Sequence, residues 1–311
     1  MDCHVASLLA MTLLPIETTD DFLLAEEFLL PYEETCASLA SLVRRKSDKL
    51  VFIESSDEAV VSIRPAAYST TDVLGILNLD STIYHCIPDP NLLDADSLKA
   101  QLSYLMKKPV RCISGEKCAT DFLIKVFPNP AQVYDYKMLR WLRDVVSTLR
   151  LGSGTVRPAA YSTTGNSLSG GEEIIRCTEH DMEILHPLQK DYMKEEVAVP
   201  GRPITDAEVD ISLRQILKNQ LCFALSVDGD IVAKANTNAI GINCVQIGGV
   251  YTHPLYRRNG YAGALVQALC KRALRANKKP VLFVKEKNTP AFTLYRKLGF
   301  EECGRYTIAY Y

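Results

Sequence analysis

The sequence predicts a mixed α/β (α+β) protein with two domains, each a mostly antiparallel sheet flanked by helices. The chain has 311 residues, which is more than one hydrophobic core usually organises. Short runs rich in Val and Ile alternate with longer segments whose apolar residues recur at helical spacing. Residues 152–171 are rich in Gly, Ser and Thr and predict a linker. We therefore expect domains at residues 1–151 and 172–311.

The first domain is predicted to start with a strand, or with an unstructured segment before Met11. A helix pair follows over Asp20–Lys46, interrupted at Pro31, with acidic residues early and basic residues late as the helix dipole favours. An antiparallel meander is predicted at Lys49–Ser55, Glu58–Ile63, Val73–Asn78 and Ser81–Ile87. The remaining elements are a helix at Leu93–Lys107 capped by Asp94 or Asp96, a strand at Val110–Ile113, a helix at Cys118–Phe127, and a strand at Gln132–Leu142 that closes the sheet.

The second domain is predicted to contain one strand, two helices, three strands, and then helix, strand, helix and strand. Thr205 and Glu208 form the capping-box pattern of a helix start. Asp228-Gly229 is a strong hairpin-turn signal. The predicted elements are Ile174–Cys177, His180–Glu196, Asp206–Asn219, Gln220–Val227, Ile231–Ala235, Cys244–Thr252, a helix from about Gly260, Pro280–Val284, and a helix that Thr289 can cap with Pro290 in its first position.

Composition and charge exclude several classes of function. The net charge of −2 gives no overall attraction to nucleic acid or to an anionic membrane, so we expect neither as a partner. The 10 cysteines include no C-x-x-C pair, so we expect no metal site and a reduced, cytoplasmic protein. The apolar run Val5–Ile16 has no Lys or Arg before it, which does not fit a signal peptide.

An octapeptide, RPAAYSTT, occurs twice, at residues 64–71 and at residues 157–164. One copy lies among the predicted strands of the first domain and the other lies in the predicted linker. These different contexts do not fit the stacked repeats of a solenoid. A duplicated segment accounts for the octapeptide, and we assign it no function.

The segment with a clear chemical purpose is Arg257–Ala262, which lies between a predicted strand and a predicted helix. A glycine lets a ligand approach the backbone, and a helix start leaves amide N–H groups without partners inside the helix. Such a turn binds phosphate groups, and Arg257 and Arg258 add positive charge. The alternative is that the two arginines are only the solvated start of a helix.

A second motif follows at Asn288, Ala291, Tyr295 and Gly299-Phe300. Together with Arg257, Gly260 and Ala262, its spacing resembles the GNAT superfamily of acyl-CoA-dependent N-acyltransferases. The resemblance covers about the last 140 residues, which correspond to residues 172–311. It implies a GNAT fold in this half of the chain, acetyl-CoA as co-substrate, no metal, and a primary amine as acceptor.

The resemblance also implies a role for each matching residue. Tyr295 would protonate the leaving thiolate, a task that suits a phenol because it is still protonated at neutral pH. Asn288 would bind the pantetheine arm, and the strand backbone would bind it too and polarise the thioester carbonyl. The implied coenzyme-binding residues are Val250, Tyr251, Thr252, Arg257, Arg258, Asn259, Gly260, Tyr261, Ala262 and Asn288.

Many members of the family carry a carboxylate that acts as the general base on the strand before the turn, and the sequence departs from the family at this position. This chain has Gly248-Gly249 there, and glycine cannot take a proton. The open candidates for the general base are Glu195, Glu196, Glu208, Glu286 and His253. The glycines also leave open an alternative function, a catalytically silent coenzyme A-binding module with a regulatory or scaffolding role.

The whole chain also resembles a bacterial tandem subgroup, in which a degenerate GNAT-like domain precedes an active one. Residues 1–151 lack the Arg-x-x-Gly-x-Gly/Ala pattern and offer only a lone Ser114-Gly115 turn. The resemblance implies that the first domain has lost its pyrophosphate loop. We expect a monomer with pseudo-dimeric domains, or a weak homodimer.

Overall fold

A computed structural model describes residues 11–55, 73–142, 166–168, 171–199 and 201–311. The predicted strand Glu58–Ile63 and both copies of the octapeptide lie outside these ranges. The mixed α/β class with mostly antiparallel sheets is confirmed. Contacts divide the chain into two compact units. The first is Met1–Met138, Gly241–Cys244 and Gly304–Tyr311, and the second is Leu139–Ile240 and Val245–Cys303.

The first unit is built on the strands β1 (Met11–Pro15), β2 (Leu50–Ser55), β3 (Val73–Asn78), β4 (Thr82–Cys86), β5 (Cys112–Glu116), β6 (Gln132–Trp141) and β13 (Phe300–Tyr310). Their order in the sheet is β1-β2-β3-β4-β5-β13-β6. Of the predicted meander, the described strands β2, β3 and β4 are confirmed as antiparallel neighbours, whereas β4 and β5 run parallel.

The helices of the first unit are α1 (Thr19–Leu29), α2 (Glu33–Arg44), α3 (Ala95–Leu105) and α4 (Lys117–Val126). The predicted helix pair is confirmed, since α1 and α2 are joined by a 3-10 turn that contains Pro31. Thr18 and Asp21 form a capping box at the start of α1. Asp94 caps α3 and accepts a hydrogen bond from the Ser97 amide at 2.7 Å.

A buried carboxylate, that of Glu33, anchors the segment Gly241–Cys244 within the first unit. Its oxygens accept hydrogen bonds from the amide of Asn243 at 2.8 and 2.9 Å and from that of Cys244 at 3.0 Å. Gly241 lies so close to this carboxylate that any side chain there would collide with it. These three hydrogen bonds replace the ones that the carboxylate would make with water if it were not buried.

The second unit has strands in the order β13-β6-β12-β11-β10-β9-β8-β7. Its own elements are β7 (Asn166–Leu168), β8 (Glu172–Cys177), α5 (Met182–Tyr192), α6 (Asp206–Asn219), β9 (Cys222–Val227), β10 (Asp230–Ile240), β11 (Cys244–Thr252), α7 (Tyr261–Arg275), β12 (Lys279–Lys285) and α8 (Thr289–Lys297). Strand β7 lies inside the range predicted as linker, and it pairs with β8.

Local signals account for most of these boundaries. Thr205 and Glu208 form the predicted capping box at the start of α6. Asp228 and Gly229 both have positive φ, which the tight turn between β9 and β10 requires. The predicted single helix His180–Glu196 is instead α5 followed by a turn of π-helix at Met193–Val197.

The strands β6 and β13 each have residues in both units, whereas the sequence predicted only that residues 132–142 close the first sheet. Strand β6 lies between β13 and β12, and its residues from Leu139 onward belong to the second unit. In the first unit, Tyr306–Tyr310 of β13 pair antiparallel with Cys112–Glu116 of β5. The order of the elements along the chain did not predict that the two ends of β6, and those of β13, belong to different units. The predicted domain boundaries stay a prediction.

Among the helices in the described ranges, none combines the length and the apolar character that crossing a bilayer requires.

Candidate active site

The strand β11 is irregular at the glycine pair. Lys234 pairs with Tyr251 and Asn236 pairs with Gly248, so β11 holds one more residue than β10 between these pairs. Gly249 has φ of 57°, a left-handed conformation that favours glycine. A side chain at Gly249 would also collide with the side-chain oxygen of Asn236. The glycine pair therefore forms a β-bulge, a feature that often re-aims groups beside active sites.

Opposite the bulge, three side chains of β10 form a row that we call the polar row: Lys234, Asn236 and Asn238. The Lys234 Nζ donates to Asn236 Oδ1 at 3.3 Å and to the Gly249 carbonyl at 3.0 Å. The Asn236 Nδ2 donates to Asn238 Oδ1 at 3.0 Å. Asn238 is exposed, whereas Asn236 and Lys234 are buried. The amide groups thus occupy the space beside the glycines.

The ammonium of Lys234 is held in the core of the second unit. Lys234 is 1% exposed, and its Nζ lies 4.8 Å from the centre of the Tyr192 ring. Burial lowers the pKa of Lys234 to about 8, and the nearby thiols of Cys222 and Cys177 oppose that shift. A buried amine is less costly when neutral, so the site favours its deprotonated form more than water does.

Tyrosine rings cover the bulge. The rings of Tyr192 and Tyr251 meet edge to face with their centres 6.5 Å apart. Burial and, to a smaller extent, the charge of Glu196 raise the pKa of Tyr192 to about 12, while a backbone hydrogen bond from Gly249 opposes them. Tyr295, on α8, is 6% exposed and packs edge to face on Phe300. Burial also raises the pKa of Tyr295, so its phenol stays protonated at neutral pH.

The basic turn, Arg257–Ala262, leads from β11 into α7. Its backbone enters the left-handed region at Arg258 (φ 69°) and at Gly260 (φ 84°). Gly260 is the N-cap residue of α7 and has no side chain to bond the first helical amides. A Cβ at Gly260 would meet no atom within 4 Å, so the space in front of it is open. The turn presents a helix N-terminus to solvent, where anions are stabilised.

Arg257 links this turn to the strand and to the π-helical turn. Its Nε donates to the Thr252 carbonyl at 3.1 Å, and its guanidinium lies 5.5 Å from the Tyr251 ring centre. Its Nη2 pairs with Glu195 Oε2 at 2.7 Å. Both side chains of this ion pair are substantially exposed, so a competing anion can reach the guanidinium.

Asn288 begins α8 and also contacts the π-helical turn. Its Oδ1 accepts from the Ala291 amide at 3.1 Å, so Asn288 is the N-cap and Thr289 is the first helical residue, against the prediction that Thr289 caps. Its Nδ2 donates to Glu196 Oε1 at 3.3 Å. Pro290 lies at the second position of the helix and not at the predicted first position, and Gly299 has φ of 88° after the end of the helix.

The predicted site residues fall into two groups. Arg257 and Asn288 contact the π-helical turn directly, and Tyr251 and Thr252 are linked to it through Arg257. The charge of Glu196, in the same turn, contributes to the raised pKa of Tyr295. Of the others, Arg258, Asn259 and Gly260 are exposed in the basic turn and Tyr261 and Ala262 are half-buried at its end, while Val250 is half-buried in β11. Asn259 donates to the Tyr256 carbonyl at 3.2 Å, and Tyr261 donates to Glu172 at 2.9 Å.

Sequence reasoning missed the polar row and Tyr192. A Lys-x-Asn-x-Asn pattern in a strand resembles an exposed edge, and Tyr192 was only one apolar position of a helix. The available signal was the glycine pair on the following strand, since glycines inside a strand indicate a bulge or a close approach. In the described part of the chain, no three His, Cys, Asp or Glu side chains form a group that could hold a metal ion.

The family model described as the acetyltransferase (GNAT) family matches residues 185–300. A search of curated protein sequences returned no match. The match range includes the bulge, the basic turn, α7 and α8.

Solved structures with a similar fold cover nearly the whole chain. A Drosophila protein is 12% identical, covers 97% of this chain and 99% of its own, and has a TM-score of 0.60. A GNAT-family acetyltransferase from Colwellia psychrerythraea is 10% identical over 96% of this chain and 99% of its own, with a TM-score of 0.52. A tandem GNAT protein from the clavulanic acid biosynthesis pathway is 11% identical over 96% and 98%, also with a TM-score of 0.52. At these identities the likeness concerns the fold, and the acetyltransferase (GNAT) family model matches residues 185–300, which include the turn and helices of the candidate site.

Proposed function

We propose that the second unit transfers an acetyl group from acetyl-CoA to a primary amine. The observation that supports this most directly is the open N-terminus of α7 behind the arginines of the basic turn. Gly260 leaves the first amides of α7 uncapped, and Arg257 lies three residues before it with its Nε on the Thr252 carbonyl. A diphosphate carries the charge that these amides and the helix dipole favour. The turn from Arg257 to Ala262 would hold the pyrophosphate of the coenzyme.

The rest of the donor would lie along β11 and the start of α8. The backbone at Val250–Thr252 would bind the pantetheine and polarise the thioester carbonyl, and Asn288 would bind the pantetheine arm. Bound acetyl-CoA supplies an activated acyl group. Tyr295 would protonate the departing sulfur, since its phenol is buried, has a raised pKa and therefore holds its proton at neutral pH.

The first unit contrasts with this arrangement at the corresponding kind of helix start. The N-terminus of α3 is closed by its own cap, the Asp94 carboxylate, which accepts from the Ser97 amide. A carboxylate at that position occupies the amides and repels a second anion. This supports the proposal that the first unit is a degenerate domain without a pyrophosphate site.

The test is release of free thiol from acetyl-CoA in the presence of a panel of amines: a lysine peptide, a peptide with a free N-terminus, spermidine, an amino acid and an aminoglycoside. We expect at least one amine to accelerate thiol release. Tyr295→Phe should slow turnover about 100-fold while leaving the acetyl-CoA Kd nearly unchanged, because the phenol acts on the leaving group. An equal loss of rate and affinity would contradict the acid role.

A second candidate function is a coenzyme A-binding module without turnover. The glycine pair at 248–249 favours it, because the space beside it holds the amides of Asn236 and Asn238 and not a carboxylate. Such a module would bind acetyl-CoA by calorimetry, whereas no amine in the panel would accelerate thiol release. The same assay therefore separates the two candidates.

A further inference from the structure

The π-helical turn Met193–Val197 places one carboxylate, that of Glu196, at the start of α8. Its Oε1 accepts from Asn288 Nδ2 at 3.3 Å, and its Oε2 lies 3.2 Å from Lys285 Nζ. Lys285 Nζ also donates to the Glu196 carbonyl at 2.6 Å. The Glu196 side chain is 26% exposed, so it is held in place and still open to a ligand. Single π-helical turns occur frequently at functional sites.

Glu196 lies close enough to the expected acid to influence it. Burial is the largest cause of the raised pKa of Tyr295, and the charges of Tyr192 and Glu196 add to it. The charge of Glu196 also raises the pKa of Tyr192, after burial. The carboxylate is therefore an electrostatic neighbour of both phenols. The groups that face it are Tyr192 from α5, Lys285 from β12, and Asn288 and Tyr295 from α8.

Pairing with a cation does not separate the candidates for the base, since Glu196 itself pairs with Lys285. Position separates them, because Glu196 contacts Asn288 at the start of α8, whereas Glu208, Glu195 and His253 contact other residues. Glu208 bonds the amide and hydroxyl of Thr205 and pairs with Arg202. Glu195 pairs with Arg257 on the outside of the same turn. His253 packs its ring on Tyr256.

Glu286 is exposed in the turn after β12. Within the described residues, Glu196 is the candidate that combines a partly open carboxylate with a hydrogen bond to Asn288, the N-cap of the helix that carries Tyr295.

We propose that Glu196 is the general base that takes the proton of the attacking amine, an inference that rests on the proposed acetyl transfer. The acceptor enters as the neutral amine. Its nitrogen forms the C–N bond and gives one proton to the Glu196 carboxylate, while the thioester C–S bond breaks and the sulfur takes one proton from Tyr295. The proton on Glu196 then returns to the Tyr295 phenolate, which restores both groups.

The contact between Glu196 and Asn288 couples this base to donor binding. In the free protein the Asn288 Nδ2 occupies Glu196 Oε1. When the pantetheine arm takes the Asn288 amide, that carboxylate oxygen becomes free to accept a proton. Donor binding before acceptor binding is the order that this contact favours, because the base is complete only after the amide has turned to the donor.

The test compares Glu196→Gln with wild type, using thiol release with the fastest amine of the panel and calorimetry of acetyl-CoA. We expect kcat to fall at least about 100-fold, since general base catalysis contributes about that much. The Kd of acetyl-CoA should stay the same or decrease, because the carboxylate no longer competes for Asn288. In Glu196→Ala, added formate should restore part of the rate. Glu183→Gln, an exposed glutamate on α5, is the matched control and should behave as wild type.

Each outcome decides the matter. A kcat for Glu196→Gln within about threefold of wild type would overturn the base role while acetyl transfer stands. A parallel loss of acetyl-CoA affinity, or no rescue of Glu196→Ala by formate, would show that the residue only supports the fold. If wild type releases no thiol with any amine, acetyl transfer is wrong and the base role is overturned with it. If Glu196→Ala does not fold, the Glu196→Gln result decides alone.

Discussion

The burial of Lys234 leads to a prediction about the stability of the protein that does not depend on catalysis. Lys234 is 1% exposed, and burial lowers its pKa from 10.5 to about 8. Each tenfold change in a protonation equilibrium is worth about 1.4 kcal/mol, so keeping this ammonium charged in the folded state costs about 3 kcal/mol. Lys234→Met removes the charge and keeps a similar volume, and it also removes two hydrogen bonds, to Gly249 and Asn236.

The sign follows from the protons bound in each state. Below pH 8 both the folded and the unfolded states carry the Lys234 proton, so wild type bears the full cost. Between pH 8 and 10.5 the unfolded chain keeps the proton and the folded chain loses it. The unfolded state then binds more protons, so the stability of wild type rises with pH relative to Lys234→Met. The lost hydrogen bonds contribute a constant offset that does not change this slope.

The assay is urea unfolding at several values between pH 7 and pH 10.5. Trp141 is the only tryptophan in the sequence. It lies in the second unit, where its Nε1 donates to the Leu298 carbonyl at 2.7 Å, so its fluorescence reports the unit that holds Lys234. Relative to Lys234→Met, wild type should gain up to about 3 kcal/mol across this range. Lys218→Met, at an exposed lysine of α6, should show no such gain. Parallel pH curves for wild type and Lys234→Met would refute the reasoning.

Three further predictions concern the donor site and the first unit. Gly260→Val should abolish acetyl-CoA binding in calorimetry, because a β-branched residue is strained at φ of 84°; unchanged affinity would exclude the basic turn as the phosphate site. Glu195→Gln should tighten acetyl-CoA binding about two- to fivefold, since a surface ion pair with Arg257 is worth at most about 1 kcal/mol, and weaker binding would mean that Glu195 orders the guanidinium. Glu33→Ala should destabilise the first unit by about 1–3 kcal/mol and speed hydrogen exchange at the Asn243 amide, and unaltered exchange there would contradict the anchor.

Where local signals agree, the sequence predicted the elements closely. Strand β11 (Cys244–Thr252) and helix α6 (Asp206–Asn219) have the predicted bounds, because a hydrophobic run or a capping box marks their ends. Strand β10 extends to Ile240, well past the predicted end at Ala235. Its polar residues contradict the usual strand pattern, since Lys234 and Asn236 are buried.

The candidate site divides in the same way. The donor side depends on short motifs with fixed spacing, so the sequence alone indicated Arg257, Gly260 and Tyr295 as candidates. The acceptor side depends on which distant segments meet. Nothing in the spacing distinguished Glu196 from the other carboxylates, whereas the three-dimensional contacts with Asn288 and Lys285 do. Long-range packing of this kind cannot be deduced from one sequence by periodicity.

The assignment of residues 304–311 to the first unit has a consequence for protein synthesis. Strand β5 gains its antiparallel neighbour β13 only after the entire second unit has left the ribosome. Until then its edge offers unpaired N–H and C=O groups to any other chain, which is a known route to aggregation. Tyr311 adds two hydrogen bonds to the first unit: its amide donates to the Arg111 carbonyl at 3.0 Å, and its hydroxyl donates to the Phe127 carbonyl at 2.6 Å. Recombinant expression of residues 1–151 alone should therefore yield poorly soluble material.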